Sequence, residues 1–199
     1  MSEFTGEVVP RGLVRCDDGK LRPAWAVDGD MREYYDTEWG RPVRDERGVF
    51  ARLCLECFQA GLAWATVMRK RQALEEAFAG FDPDALASFD AGDVERLLAD
   101  PRIIRNRRKI EAVIHNARAC RELRRDGGLH ALVWSYYDPT APGPRSSDDI
   151  PSSTPASREL ARDLKRAGFQ FVGPVTMYAL MQAIGVVNDH IVGSHVRPN

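Results

Sequence analysis

The stretch Asp100-Pro101-Arg102-Ile103-Ile104-Arg105-Asn106-Arg107-Arg108-Lys109 decides how this chain is read. A helical pattern over about 92–99 precedes it, and a longer one over about 107–125 follows, closed by Gly127-Gly128. The stretch therefore reads as a short link between two helices. A link of this kind aims the free backbone N–H groups of the second helix outward, where they can hold an anion. Arg102, Arg105, Arg107, Arg108 and Lys109 crowd beside it, while Ile103, Ile104 and Ile110 lock the two helices together. Arg118, Arg121, Arg124 and Arg125 extend the charge along the second helix. The pattern reads either as a phosphate-holding surface or as a solvated charge run.

Outward from this link the chain is helical almost throughout. Asp30 to Trp39 forms a short helix that stops at Gly40. Residues 45–60 carry Val49, Phe50, Leu53, Cys54, Cys57 and Ala60 at spacings of three and four. A helix is expected over about 69–79, and Asp82-Pro83 opens a short one by cap and first-turn proline. Residues 129–137 read as helix, with strand the alternative. Residues 138–152 read as loop. Thr154-Pro155 starts a helix to about 167, and residues 174–187 form the last one. Alternating β-branched runs are scarce, so the fold class is all-α, with two helical lobes and a groove between them. Residues 1–30 read as irregular because Pro10, Gly12, Gly19, Pro23 and Gly29 interrupt any period.

Composition sets limits. The chain has 199 residues, 44% of them hydrophobic, which is enough for a sizeable core, and a net charge of -1. Any nucleic-acid contact must come from local charge and not from the sum. No run of 18 apolar residues occurs and Met1-Ser-Glu-Phe-Thr5 lacks leader character, so a cytoplasmic protein without a membrane segment is expected. Of Cys16, Cys54, Cys57 and Cys120, the pair Cys54 and Cys57 lies in an apolar helical run. Buried thiols are expected there, with a metal or redox pair the alternative.

Glu56 is out of place. At 100° per residue it falls at about 340° from Val49, beside the apolar stripe. A carboxylate there must be solvated, paired or functional. Tyr34, Tyr35, Glu38 and Trp39 lie upstream, and Trp64 downstream. Aromatic rings beside an acid suit an electron-poor ligand ring, though the same rings can equally be core. Trp25 is an isolated aromatic expected to dock on the core or on a ligand pocket.

Several stretches taken together carry a resemblance. They are Tyr34-Tyr-Asp-Thr-Glu-Trp-Gly40, Leu55-Glu-Cys-Phe-Gln-Ala-Gly-Leu-Ala-Trp64, Phe81-Asp-Pro83, Ile103-Ile-Arg-Asn-Arg-Arg-Lys-Ile110 and Asn116-Ala-Arg118. Ile150-Pro-Ser-Ser-Thr154, Gly168-Phe-Gln-Phe-Val-Gly173 and Val187-Asn-Asp-His190 complete the set. In this order the chain resembles the bacterial type I 3-methyladenine DNA glycosylases of the helix-hairpin-helix superfamily. The resemblance implies an N-terminal extension over 1–21 and one glycosylase domain over 22–199, its hairpin at about 97–110.

It also implies a monomeric, monofunctional enzyme that removes 3-methyladenine from alkylated double-stranded DNA. A catalytically weak DNA-binding relative, or a shifted alkyl-purine preference, is the alternative. Glu56 and Tyr34 take the catalytic positions and Trp64 and Trp25 the base-binding ones. Met31 stands where the family has a further pocket tyrosine, and Arg102, Arg105, Arg107, Arg108 and Lys109 meet DNA. Arg102 and Arg108 replace hairpin glycines. The family's structural zinc would fall on Pro23, Tyr35, His190 and Ser194, of which only His190 is a usual ligand. No cofactor is therefore expected, with a rebuilt site through Cys16 and His195 the alternative.

Overall fold

The computed structural model describes residues 9–197. The stretch of residues 1–5 read as lacking leader character and the start of the 1–21 extension lie outside them, as does the end of the C-terminal tail. The element order is β1 (Leu13–Arg15), β2 (Leu21–Pro23), α1 (Gly29–Thr37), α2 (Glu46–Gln59) and α3 (Trp64–Ala77). There follow α4 (Pro83–Ala87), α5 (Ala91–Ala99), α6 (Arg107–Leu123), α7 (Gly128–Trp134), α8 (Pro155–Arg166) and α9 (Pro174–Ala183). The all-α class holds. The one addition is an antiparallel hairpin pairing Leu13 with Pro23 and Arg15 with Leu21, in a region expected to be irregular. Its strands are three residues each, too short to show an alternating pattern. It also straddles the division drawn at residue 21.

The helices start where their side chains supply caps. Asp45 accepts from the Gly48 N–H at 2.8 Å to open α2, and Asp82 accepts from Asp84 N–H ahead of Pro83. Asp90 and Asp93 form a reciprocal box on α5, Asn106 caps α6, and Thr154 caps α8. Val49, Phe50, Leu53, Cys54 and Cys57 are all fully buried, as the spacing in α2 predicts. Truncating Leu53 to alanine in this setting costs about 2–5 kcal/mol. One continuous apolar cluster runs from Val49 to Val186, with α2 packed between α6 and α7 on one side and α9 on another.

Two boundaries differ from expectation. α3 starts at Trp64 and not near 69, because Gly61 turns with a positive φ and Leu62 N–H donates to Gln59 O at 2.6 Å. Four residues thus link α2 to α3, and Trp64 begins a new helix instead of continuing the old one. α9 ends at Ala183, before residue 187. Gly185 follows with φ +77°, and a Cβ there would sit 2.7 Å from Gly40 O. That close approach clamps the end of α9 onto the turn after α1.

Candidate active site

The link between α5 and α6 spans residues 100–106. Ile103 within it and Ile110 in the first turn of α6 are buried, and Arg102, where the resemblance implies a glycine, takes no positive φ. Arg105 and Arg108 are exposed and make no ion pair among the described residues. Arg102 is exposed but braced by Asp100 and Glu76, and Arg107 by Glu95 and Glu111.

Lys109 corrects the sequence reading. It is 5% exposed, and its Nζ donates to Phe58 O at 2.7 Å and Ala60 O at 2.6 Å. It satisfies the last carbonyls of α2 and has no free face for a phosphate. Lys70 on α3 donates to Pro101 O and Arg102 O and holds the turn. Further along α6, Arg118 bonds Ala87 O and Phe89 O, while Arg121, Arg124 and Arg125 pair with acids. The charge run is mostly internal bracing.

A pocket of about 360 Å³ opens between α1, α2, α3 and α9. Glu56 and Gln59 reach it from α2, Met31 and Tyr34 from α1, and Trp64 from the first turn of α3. Trp25, Tyr35 and Trp39 complete the aromatic part, and Thr176, Gln182 and Asp189 add polar groups from α9 and the segment after it. All five of the residues predicted for base excision and binding, Glu56, Tyr34, Trp64, Trp25 and Met31, meet here. Gln59, Gln182 and Asp189 carry no role in the sequence reading, although Gln59 and Asp189 lie in the stretches quoted there.

Glu56 is 4% exposed and, among the described residues, makes neither a hydrogen bond nor a salt bridge. Burial pushes its carboxyl up to about 8, against a smaller opposing pull from Arg52 one helical turn away. Arg52 is in turn held by Glu38, which also binds Arg71, so the cation stays behind the pocket wall. The Tyr34 and Trp64 rings lie 5.7 Å apart at 45°. Trp64 Nε1 is buried without a partner among the described residues. Trp25, 44% exposed, packs edge-on against Tyr35 and Trp39 at the pocket mouth. The pocket thus offers flat apolar faces, an unpaired acid and an unpaired N–H, the inventory needed to grip a planar heterocycle.

The positions of the family zinc are occupied otherwise. Tyr35 Oη and Ser194 Oγ share a hydrogen bond of 2.7 Å, and Pro23 has no donor atom. Burial lowers His190 to about 4, so its imidazole is neutral; Nδ1 bonds Asn188 Oδ1 and Nε2 is unpartnered. His195, the candidate for a rebuilt site, is engaged by Leu21 O and Asp36. Among the described residues no three His, Cys, Asp or Glu side chains are grouped for a metal. One imidazole nitrogen is too little, and these residues do not fit a structural zinc.

Residues 25–197 match the family model for methyladenine glycosylase. The chain belongs to that family. It is 45% identical over 163 residues to DNA-3-methyladenine glycosylase 1 of Escherichia coli (strain K12), covering 80% of this chain and 87% of the relative. A crystal structure of 3-methyladenine DNA glycosylase I superposes with a TM-score of 0.84 at 44% identity, covering 93% of this chain and all of the other. The Staphylococcus aureus enzyme, solved for 3-methyladenine recognition, gives 0.82 at 32% identity, with 86% and 93% covered. Among the described residues of this family member, no helix is long and apolar enough to cross a membrane.

Proposed function

We propose that this family member is a monofunctional DNA glycosylase that hydrolyses the N-glycosidic bond of 3-methyladenine in alkylated double-stranded DNA. It acts as a cytoplasmic monomer and without zinc. The observation that carries the reading is Glu56, buried and unpartnered in an aromatic pocket of base size.

A purine methylated at N3 is cationic while still attached to the sugar. Empty, the buried Glu56 carboxyl favours its proton. A cationic ring entering beside it reverses that balance, so Glu56 ionises and accepts from the exocyclic amine. An unmodified, neutral purine gains nothing comparable and is rejected. Tyr34 and Trp64 hold the ring faces. When C1′–N9 breaks, its electron pair stays with the base, which leaves neutral. C1′ becomes electron-poor, and water adds there with loss of a proton. Among the described residues no lysine lines the pocket, in keeping with hydrolysis without a Schiff base or strand cleavage. Arg105 and Arg108, exposed and unpaired at the α5–α6 link, together with the free N–H groups that open α6, meet the backbone phosphates.

The test is mass spectrometry of bases released from methylated duplex DNA. Wild type is expected to release 3-methyladenine, and Glu56→Gln to do so about 100-fold more slowly while binding abasic duplex normally. Release at the wild-type rate by the variant overturns the assignment.

A further inference from the structure

The motif Val187-Asn-Asp-His190 is used only in part by the account above. Asn188 and His190 bond each other and shape the turn, whereas Asp189 between them lines the pocket. One of its oxygens, Oδ2, accepts from Tyr178 Oη at 2.5 Å and from Gln182 Nε2 at 2.8 Å. Both donors stand on α9, four residues apart and so on one face. They fix the carboxylate before any ligand arrives. Among the described residues Oδ1 has no hydrogen-bond partner, and no cation lies within ion-pair distance of Asp189. Other carboxylates of this molecule are treated differently. Asp36, Glu38, Asp84 and Asp100 each hold at least one arginine.

A pocket with two carboxylates on separate elements, neither ion-paired among the described residues, matches a reaction with two positive charges. The first is on the alkylated base and is present from the start. The second develops on the sugar as C1′–N9 breaks. Glu56, on α2 between Tyr34 and Trp64, serves the ring. We propose that Asp189 is a second catalytic carboxylate, whose free Oδ1 faces the deoxyribose and stabilises the positive charge that develops at C1′. The proposal rests on the glycosylase reading. A carboxylate fixed in advance by two donors does not have to reorganise as the charge appears, which is where electrostatic catalysis is most effective. Burial keeps Tyr178 protonated and therefore a donor throughout.

The experiment uses the full chain and two duplexes, one with a neutral tetrahydrofuran abasic site and one with a cationic pyrrolidine in the sugar position. Single-turnover excision and binding of free 3-methyladenine are measured beside them. Asp189→Asn keeps an acceptor for Tyr178 and Gln182 but removes the charge. It is expected to slow excision by about 100-fold, to bind free 3-methyladenine within about twofold of wild type, and to lose the wild-type preference for the pyrrolidine duplex. Glu56→Gln also excises slowly but is expected to show the opposite binding pattern, losing base binding and keeping the preference. Tyr178→Phe, which leaves the charge but frees one donor, is expected to lose about 3–10-fold in rate. Asp189→Asn excising at the wild-type rate, or retaining the pyrrolidine preference, overturns the proposal while leaving the glycosylase reading intact. Wild type releasing no 3-methyladenine overturns both.

Discussion

Arg22 and Glu56 are almost equally hidden from solvent, at 1% and 4% exposure, yet their surroundings differ in kind. Arg22, on β2, makes bidentate contacts to Asp36 and Asp18, with every distance between 2.7 and 2.9 Å. Asp36 also meets His195, and Tyr35 next to it bonds Ser194, so the N-terminal hairpin, α1 and the C-terminal segment close on one another. Glu56 sits on α2 among fully buried apolar side chains and has no such company. A buried charge that is fully paired holds a fold together. One left unpaired costs stability and is retained for what it does to a ligand.

The sharpest way to break this comparison is to neutralise both residues and measure stability against pH. Glu56 has a folded value of about 8 against the usual 4.5, so the folded chain holds a proton that the unfolded chain has already lost between those values. Stability contributed by this group therefore falls as pH rises from about 4.5 to 8. Glu56→Gln is expected to melt about 5 °C above wild type at pH 8.5 and level with it at pH 4. A lower Tm at both pH values would show that the carboxylate is a structural member after all.

Arg22→Met is expected to act in the opposite sense, lowering Tm by about 5 °C at pH 7 with excision within about twofold of wild type. The Arg22 bonds hold Asp36 below the usual carboxylate range, so the wild-type advantage is lost as pH falls through that depressed value. Prolonged treatment with a chelator is expected to leave the wild-type Tm unchanged. A fall on chelation would reinstate a metal at the closure.

A smaller effect separates the exposed arginines from the braced ones. Arg105→Ala is expected to weaken duplex binding a few-fold and to reduce the salt slope by about one. Arg107→Ala, which also frees Glu95, should change the slope less. Equal slopes for both would place the backbone contact elsewhere.

Much of this was legible in the sequence. Caps announced α4 and α8 through Asp82-Pro83 and Thr154-Pro155, and Glu56 declared itself by lying beside an apolar stripe. Other features left no local trace. Asp189 follows the last helix in a segment without period, and only the packing of α9 against α2 brings it to the pocket. A run of basic residues does not say which of them finds a carbonyl, and so Lys109 read as surface charge. The hairpin at Leu13–Pro23 is too short to register as strand, and Arg22 within it shows its role only when Asp18 and Asp36 arrive from either side.

The burial of Lys109 has a mechanical consequence. Its ammonium bolts the first turn of α6 to the last turn of α2. On the proposed reading, the surface that grips the strand and the floor that inspects the base are then parts of one caliper with fixed jaws. Such a tool cannot lower its floor to an intrahelical lesion, so the displacement falls on the nucleotide, which must swing the full distance itself.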